Sequence, residues 1–408
     1  MAQKAGGHPT AVIRQLSARI GHLESLAECP LQADNSHQLS PQQVRYVGAI
    51  GGPASTDPGF PIETNRSTER KLRIISLPEL LLLIMQQTKR HHYVPKAYLK
   101  AFCDGQGKLL VYRKDAPTQP LHQTPNATQF RKYYYSQPVP GGGQDNNTLE
   151  AAFSAIERHW PATVAKLHAR GDVDDRLENI FHFIALQRVR VPASRDMAES
   201  MLAQTVKDTL KSMQSAGEMP PLPKGFEDLP NQVQVAIDPH RSIHAMVSML
   251  QGMEKLFSLI GLVAVHNNTG VPFITSDNPV LWFDPSLPFD QQRPYTVQPG
   301  GPVFLVFPVS PSLALIGSTQ NRELFGTHGL QHSDVPDEDM VYAINSQVCR
   351  FAYEAVITQE AGWEDLIAEH AGVSPVHEAV NIPVAKRMAT MHRMAFGPRT
   401  AKPKWTGS

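Results

Sequence analysis

Cysteine is scarce in this chain. Its three cysteines, Cys29, Cys103 and Cys349, are odd in number, far apart and without CxxC spacing, so neither a disulfide framework nor a thiolate zinc site is expected. The longest aliphatic run, residues 80–85, is far shorter than the roughly 20 apolar residues that cross a bilayer. Residues 1–7 also lack the apolar core of a signal peptide. These absences predict a cytoplasmic protein with no membrane partner.

Net charge is also lacking, because Lys+Arg and Asp+Glu both number 38. This balance argues against a protein that coats nucleic acid non-specifically, although a local basic patch can still bind phosphate. The chain contains no HExxH, P-loop or GxSxG motif, and no GxGxxG follows a predicted strand. The motifs of the commonest metalloproteases, nucleotide-binding folds and serine hydrolases are therefore missing.

The 408 residues divide by pattern into three parts. Residues 1–84 show one short amphipathic helix and then Pro- and Gly-rich sequence without periodicity, so we expect a poorly ordered extension. Residues 85–375 carry the main domain, and residues 376–408 are predicted to form a loose, basic tail. Because Met85 opens the patterned region, our hypothesis is that the working protein begins there.

Hydrophobic periodicity gives the fold class. Residues 147–258 show apolar positions at helical spacing, as in the stripe of Ile180 and Ile184. Residues 259–358 instead contain short continuous apolar runs, such as 260–266 and 303–308, which are typical of buried strands. We therefore predict an α+β fold, in which a helical middle section packs with a mixed, mostly antiparallel sheet from the C-terminal half.

Several motifs follow one another in a fixed order along the chain. They are His91-His92-Tyr93-Val94-Pro95 with Tyr98, Leu99 and Phe102, Leu149-Glu150, Ile156-Glu157, Phe183-Ile184-Ala185-Leu186-Gln187 with Arg190, Pro192 and Arg195, Phe273-Ile274-Thr275-Ser276-Asp277-Asn278-Pro279, Phe307-Pro308-Val309-Ser310-Pro311, and Asn345. Together they resemble the bacterial domain-of-unknown-function family 4238 over roughly residues 86–358, and the specificity of the resemblance comes from the number and order of the motifs. The resemblance implies no particular reaction.

Two adjacent histidines, His91 and His92, precede the helix that Pro95 is predicted to start. Side chains of neighbouring residues in an extended segment point to opposite sides, so the two imidazoles are not expected to bind one metal ion together. One of them could face a site as a general base. The structural alternative is that both pin this segment over the core.

Polar residues also interrupt the apolar stripe of the helix that contains Ile184. Gln187 falls inside that stripe and Arg190 lies one turn further along, so both need partners. Glu150 and Glu157, two turns apart on another predicted helix, are candidate partners. We favour an Arg–Glu network that locks two helices. In the alternative, Arg190 and Arg195 grip a phosphate or carboxylate by bidentate hydrogen bonds.

The turn that follows the short strand at 273–275 supplies the last candidates. Asp277 could orient a histidine or bind a metal ion, and Asn278 could bind a ligand, although both residue types are also common in structural turns. Asn345 lies on the apolar stripe of a late helix, where a satisfied core amide is more frequent than a ligand-binding one.

The leading hypothesis is a hydrolase, of the nuclease-like phosphodiesterase type. One of His91 and His92 acts as base, Arg190 and Arg195 hold an anionic group, and Asp277 with Glu150 orients the base or binds a divalent ion. The partner stays open between an anionic small molecule and a nucleic acid, and the oligomeric state stays undetermined. The rival is a non-enzymatic binding protein with a structural polar network, with a stress or phage-defence role suggested by analogy alone.

Overall fold

The computed structural model describes residues 88–139, 142–218, 220, 224–226, 232–384 and 387–406. These residues all belong to one unit of the chain, which is continuous from Thr88 to Ser408. The predicted N-terminal extension, residues 1–84 with its amphipathic helix, lies outside the described residues. Within the described ranges, no helix is both long enough and apolar enough to span a bilayer.

The helices are concentrated in the middle of the chain. The α-helices are α1 (Lys96–Leu99), α2 (Thr148–Glu157), α3 (Trp160–His168), α4 (Leu177–Val189), α5 (Pro192–Ser215), α6 (Pro239–Phe257), α7 (Arg322–His328), α8 (Glu338–Phe351) and α9 (Glu364–Glu369). A single turn of 3-10 helix, Lys100–Phe102, directly follows α1, and another, Asp174–Arg176, directly precedes α4.

Most strands are short, and they lie mostly before and after this helical section. They are β1 (Arg90–His92), β2 (Leu109–Arg113), β3 (Ala116–Gln123), β4 (Phe130–Lys132), β5 (Gln137–Pro138), β6 (Gln144–Asp145), β7 (Gly261–His266), β8 (Thr275–Ser276), β9 (Leu281–Phe283), β10 (Phe304–Ser310), β11 (Leu313–Ser318), β12 (Gln331–Asp334), β13 (Ala355–Thr358), β14 (Ser374–Val384) and β15 (Arg387–Gly397).

Local sequence explains where the long helices begin. Pro192 and Pro239 occupy the first turns of α5 and α6, where a missing backbone N–H breaks no helical hydrogen bond. The Asp238 carboxylate accepts the N–H of His240 at 2.9 Å, and that of Asp337 caps α8 by accepting the N–H of Met340 at 3.0 Å. Such caps satisfy backbone donors that a helix terminus leaves unpaired.

The largest sheet is five-stranded, in the order β12-β7-β11-β10-β9. Only β12 runs parallel to its neighbour, so the sheet is mixed but mostly antiparallel. Strands β7, β10 and β11 are buried along their whole length. A strand with two buried faces requires apolar residues at consecutive positions, which explains the continuous runs in the sequence. This architecture confirms the predicted α+β fold.

The two faces of this sheet belong to two different hydrophobic cores. Leu305 and Phe307 of β10 pack in the core that contains the helical middle section, whereas Phe304 and Val306 pack in the core that contains α8. On the helical side, the rings of Trp160 and Phe183 stack with centroids 3.9 Å apart. Large aromatic contacts of this kind provide much of the packing energy between helices and sheet.

A second sheet places the turn at Asp277. Its order is β3-β2-β13-β8, and its pairs are antiparallel. Strand β8 contains only Thr275 and Ser276, and the N–H of Asp277 continues its pairing by donating to the carbonyl of Ala355 at 3.0 Å. The turn is therefore fixed against the first residues of β13.

The C-terminal region differs from the predicted loose tail. Strands β14 and β15 form an unbroken hairpin from Ser374↔Gly397 to Val384↔Arg387. Polar cross-strand contacts support it, including the Glu378–Arg393 ion pair at 2.6 Å. Val376, Val380 and Ile382 also alternate along β14 and pair with apolar residues of β15, so the sequence contained a strand signal that the prediction of a loose tail did not use. Residues 398–406 follow without helix or strand.

One glycine shows how tightly β7 is packed. A Cβ atom added to Gly261 would lie 2.1 Å from the carbonyl oxygen of Asn321 and 2.5 Å from Cβ of Phe325. We expect Gly261→Ala to lower the free energy of unfolding by about 1–3 kcal/mol, because the backbone must shift to accept the methyl group. Urea denaturation measures this, with Gly252→Ala as control. Gly252 lies in a helix with open space around it, so alanine there should be neutral or stabilising; equal stability of both variants would contradict the expectation.

Candidate functional site

His91 is a structural residue of β1. Its buried ring donates from Nε2 to the carbonyl of Thr88 at 2.9 Å and accepts at Nδ1 the N–H of Tyr135 at 2.8 Å. The ring also stacks on Tyr135, with centroids 5.7 Å apart. Burial lowers the pKa of His91, so the ring is neutral and both nitrogens are occupied. No nitrogen is left to accept a proton from a substrate.

His92 has different surroundings. Its ring packs against Phe130, and its buried Nε2 has no hydrogen-bond partner among the described residues. Burial, followed by the positive charges of Lys96 and Arg190, lowers the pKa of His92 to about 4. The imidazole is therefore neutral at pH 7, and one of its nitrogens is free to act as a base.

Arg190 holds this segment in place. Its guanidinium donates from Nε to the carbonyl of Tyr93 at 2.9 Å and from Nη2 to the carbonyl of His92 at 2.8 Å. Its Nη1 donates to Oε1 of Glu157 at 2.5 Å. The side chain is 2% exposed, so these contacts compensate a fully buried charge. This is the Arg–Glu network that the sequence favoured, and Glu157 is the carboxylate that provides it.

Glu150 lies near the same charges. Its Oε1 is buried and has no partner in the described part of the chain. Burial raises the pKa of Glu150 to about 7, a shift that Arg190 opposes and Glu157 reinforces. The positive charge of Lys96 also lowers the pKa of Glu150, and the same charge lowers the pKa of His92. A carboxyl with this pKa is protonated in a large fraction of molecules at neutral pH and can donate a proton.

Arg195, the second predicted anion-binding residue, is bound to protein groups. Its Nε donates to Oγ of Ser242 at 3.0 Å, and its Nη2 donates to the carbonyl of Pro239 at 2.8 Å. A further bond joins Nη1 to the carbonyl of Tyr134, whose ring lies 4.1 Å below the guanidinium carbon. In this geometry Arg195 ties α5 to the start of α6.

Asp277 binds backbone rather than a histidine. Its Oδ1 accepts the N–H of Tyr353 at 2.8 Å, and its Oδ2 accepts the N–H of Glu354 at 2.6 Å. Burial, with a contribution from the Glu354 charge, raises the pKa of Asp277 to about 6, although the two N–H bonds oppose this shift. The carboxyl thus shapes the segment that leads into β13.

The three predicted amide residues have different surroundings. Asn345 accepts the N–H of Ile274 at 3.1 Å and donates to the carbonyl of Pro272 at 2.9 Å. Asn278 donates to the hydroxyl of Tyr295 and to the carbonyl of Phe351, whereas its Oδ1 has no partner among the residues described. Gln187 is fully buried, and the described chain offers no partner to either of its amide atoms.

The structure therefore brings part of the predicted set together. Arg190 bonds to Glu157 and to the backbone carbonyl of His92, and its charge, with that of Lys96, acts on the side chains of His92 and Glu150. We call these five residues the Arg190 cluster. Arg195, Asp277 and Asn345 bind other segments of the protein. Within the described residues, no three His, Cys, Asp or Glu side chains are arranged to hold a metal ion.

Two clefts contain residues that sequence reasoning missed. The first, of about 290 Å³, lies between α5 and the C-terminal segment. There, Nζ of Lys402 contacts the carboxylates of Asp196 and Glu199, and the hydroxyl of Tyr353 donates to Asp196 at 2.7 Å. The spacing of Asp196 and Glu199 places them on one helix face, a signal present in the sequence. The position of Lys402 depends on the hairpin before it and gave no such signal.

The second cleft, of about 410 Å³, adjoins the motif that contains His92. Tyr93 of that motif lines it, together with Gln129, Glu354 and Arg399. Gln129 and Tyr133 both adopt positive φ angles, 54° and 56°, on either side of β4. Non-glycine residues in this conformation are uncommon and occur disproportionately at functional sites.

Comparison with known proteins gives a family and no function. Searches of curated proteins and of solved structures found no match. The family described as "Protein of unknown function (DUF4238)" matches residues 90–362, about two thirds of the chain. The match includes the Arg190 cluster and the Asp277 turn, and it ends before β14. The chain therefore belongs to the DUF4238 family.

Proposed function

We propose that this protein is a hydrolase of anionic esters, of the nuclease-like phosphodiesterase type, and that it acts in the bacterial cytoplasm. The observation that carries the proposal is the pair His92 and Glu150. Each has a buried polar atom without a partner among the described residues, and the charges of Lys96 and Arg190 act on both. Titratable groups with perturbed pKa values and free polar atoms are typical of catalytic sites.

The two groups have complementary protonation states. A neutral His92 takes the proton from an attacking water, whose oxygen forms the new bond to phosphorus. Protonated Glu150 gives its proton to the leaving oxygen as the phosphorus–oxygen bond breaks. The nearby charges of Lys96, Arg190 and Arg90 attract an anionic substrate to His92. Acid–base catalysis of this kind requires that, near the working pH, the base is unprotonated and the acid is protonated.

Arg190 has a positioning role in this proposal. Its donors go to two carbonyls and to Glu157, so it fixes the backbone at His92 rather than gripping the substrate. The rival function, a non-enzymatic binding protein, is favoured by a separate observation: Arg190, Arg195, Asp277 and Asn345 all bond to protein groups. In that case the polar motifs form a structural network.

Substitution of the proposed acid and base tests the enzyme. We expect His92→Ala and Glu150→Gln each to lower hydrolysis on the order of a hundredfold, because each removes one proton transfer. Activity is measured on RNA, DNA and a chromogenic phosphodiester, with and without Mg²⁺. His182→Ala and Glu178→Gln, at exposed positions of α4, serve as matched controls and should retain full activity. A wild type inactive on all substrates, or a fully active His92→Ala protein, would favour the binding protein.

The pH dependence separates the two roles. Activity should rise near pH 4, where His92 loses its proton, and should fall near pH 7, where Glu150 loses its proton. Glu150→Gln should remove the fall at high pH, and His92→Ala should remove the rise at low pH. A profile that both variants leave unchanged in shape would rule out these assignments.

A further inference from the structure

The 410 Å³ cleft beside Tyr93 combines apolar, amide and charged walls. Leu121 is 43% exposed and lines the cleft, and Tyr93 and Val111 provide further apolar lining. Its volume falls in the range of about 300–1,000 Å³ that is common for small-molecule sites. An apolar floor with a few placed polar groups is the usual composition of such a site.

Gln129 provides the polar group that lacks a partner. The residue is 5% exposed, and its Nε2 donates to Oγ1 of Thr128 at 3.0 Å, whereas its Oε1 has no partner among the described residues. The carbonyl of Gln129 accepts the N–H of Tyr93 at 3.0 Å, which fixes its left-handed backbone. The Thr128 hydroxyl can donate or accept a hydrogen bond, so the Gln129 amide can bond to it through either its NH₂ group or its oxygen. The other end of the amide can therefore present an oxygen or, after a half-turn, an NH₂ group.

The charged wall contains two arginines, Arg113 and Arg399, and two carboxylates, Asp115 and Glu354. Arg113 pairs with Asp115 through two bonds of 2.7 and 2.5 Å. Arg131 and Arg399 both contact Oε1 of Glu354, at 2.7 and 3.2 Å. Arg131 lies outside the cleft lining but already pairs with Glu354, so Glu354 neutralises Arg399 only in part and Arg399 can still bind an anionic ligand. Guanidinium groups bind phosphate oxygens in a planar, two-pronged geometry.

We propose that this cleft binds a nucleotide. The base lies against Leu121 and Tyr93 with its polar edge at the Gln129 amide, and the phosphate lies toward Arg113 and Arg399. Each part of a nucleotide thus meets one wall: the planar ring the apolar wall, the hydrogen-bonding edge the amide, and the phosphate the arginines. This inference rests on the proposed function and deepens it, because it makes nucleic acid the substrate class and Gln129 a residue that reads the base.

Direct binding to the full chain tests the cleft. The probes are AMP, GMP, CMP and UMP, measured separately by isothermal titration calorimetry. We expect wild type to bind at least one of them, and Gln129→Met to weaken that binding at least tenfold, because methionine keeps the size but loses the amide. Gln106→Met, in an exposed turn, is the control and should bind as wild type does. Thermal unfolding verifies that each variant is folded.

A second variant covers the case in which Gln129→Met fails to fold. Leu121→Glu replaces the apolar surface under the base with a charged side chain and adds a negative charge to the cleft, so it should abolish nucleotide binding. The absence of wild-type binding to all four nucleotides, unchanged affinity in both variants, or preferential binding of a phosphoserine peptide would overturn the cleft proposal. Nucleotide binding without any phosphodiesterase turnover would support the cleft and overturn the hydrolase. If Gln129→Met and Leu121→Glu both keep full phosphodiesterase turnover, the cleft proposal is overturned and the hydrolase proposal stands.

Discussion

Replacing Arg190 with methionine is expected to lower the free energy of unfolding by about 3–5 kcal/mol, the range for breaking a buried ion pair by removing one partner. Methionine fills much of the volume but leaves the carbonyls of His92 and Tyr93 and the carboxylate of Glu157 without their donor. Most of the cost comes from these unpaired groups rather than from the lost attraction. Denaturation in guanidinium chloride measures the change.

Two further variants show where that energy originates. Arg158→Met changes an exposed arginine next to Glu157, and it should alter stability by no more than a few tenths of a kcal/mol. The double variant Arg190→Met/Glu157→Leu should recover part of the loss, because it removes the uncompensated carboxylate. Stability of Arg190→Met within about 0.5 kcal/mol of wild type would mean that Arg190 does not lock this segment.

Replacing Asp277 with alanine should also be strongly destabilising. The N–H groups of Tyr353 and Glu354 both lose their acceptor, and each unsatisfied buried donor costs about 1–3 kcal/mol, so the expected loss is about 2–6 kcal/mol. Asp115→Ala is the matched control, because it removes only an exposed carboxylate paired with Arg113 and should cost about 0–1 kcal/mol. Urea denaturation of both variants at the same pH gives the comparison.

The effect of Asp277→Ala should depend on pH in a defined direction. The pKa of Asp277 is raised to about 6 in the folded protein from its ordinary value of 3.8. Its stabilising contribution is therefore fully present below pH 3.8 and declines as the pH rises through 6. The stability difference between wild type and Asp277→Ala should accordingly be larger at pH 4 than at pH 7. An increase in the difference with pH would show that the ionised form is the one stabilised by the fold.

The sequence was informative wherever periodicity has a single physical reading. The stripe of α4 and the continuous apolar runs of β7 and β10 correctly indicated a helical section and a sheet buried on both faces. In β14, Val376, Val380 and Ile382 alternate and pair with apolar residues of β15, but this short pattern was outweighed by the basic residues near the C-terminus. Local composition therefore indicated a loose tail where the chain is paired.

The candidate site was harder to predict, because the hydrogen-bond partners of its side chains are largely backbone atoms. The need of Arg190 for a carboxylate followed from its place on an apolar stripe, and two glutamates were candidates. The carbonyls of His92 and Tyr93 lie almost a hundred residues away and carry no side-chain signal. Similarly, Asp277 resembled a metal ligand because its true partners are the backbone N–H groups of Tyr353 and Glu354. Backbone groups are the same at every position, so the sequence gives no sign of them. The role of a polar residue in a turn is settled by tertiary contacts, which periodicity does not encode.

The division of β10 between two cores has a consequence for insertions and deletions. Phe307 faces the helical core and Phe304 faces the core of α8, so adding or removing one residue between them would exchange every later side chain between the two cores. The register of β10 on β11 shifts only between Pro308 and Ser310, beyond this stretch. Length variation among related sequences should therefore fall at that bulge or in the loops, while the number of residues from Phe304 to Phe307 stays fixed.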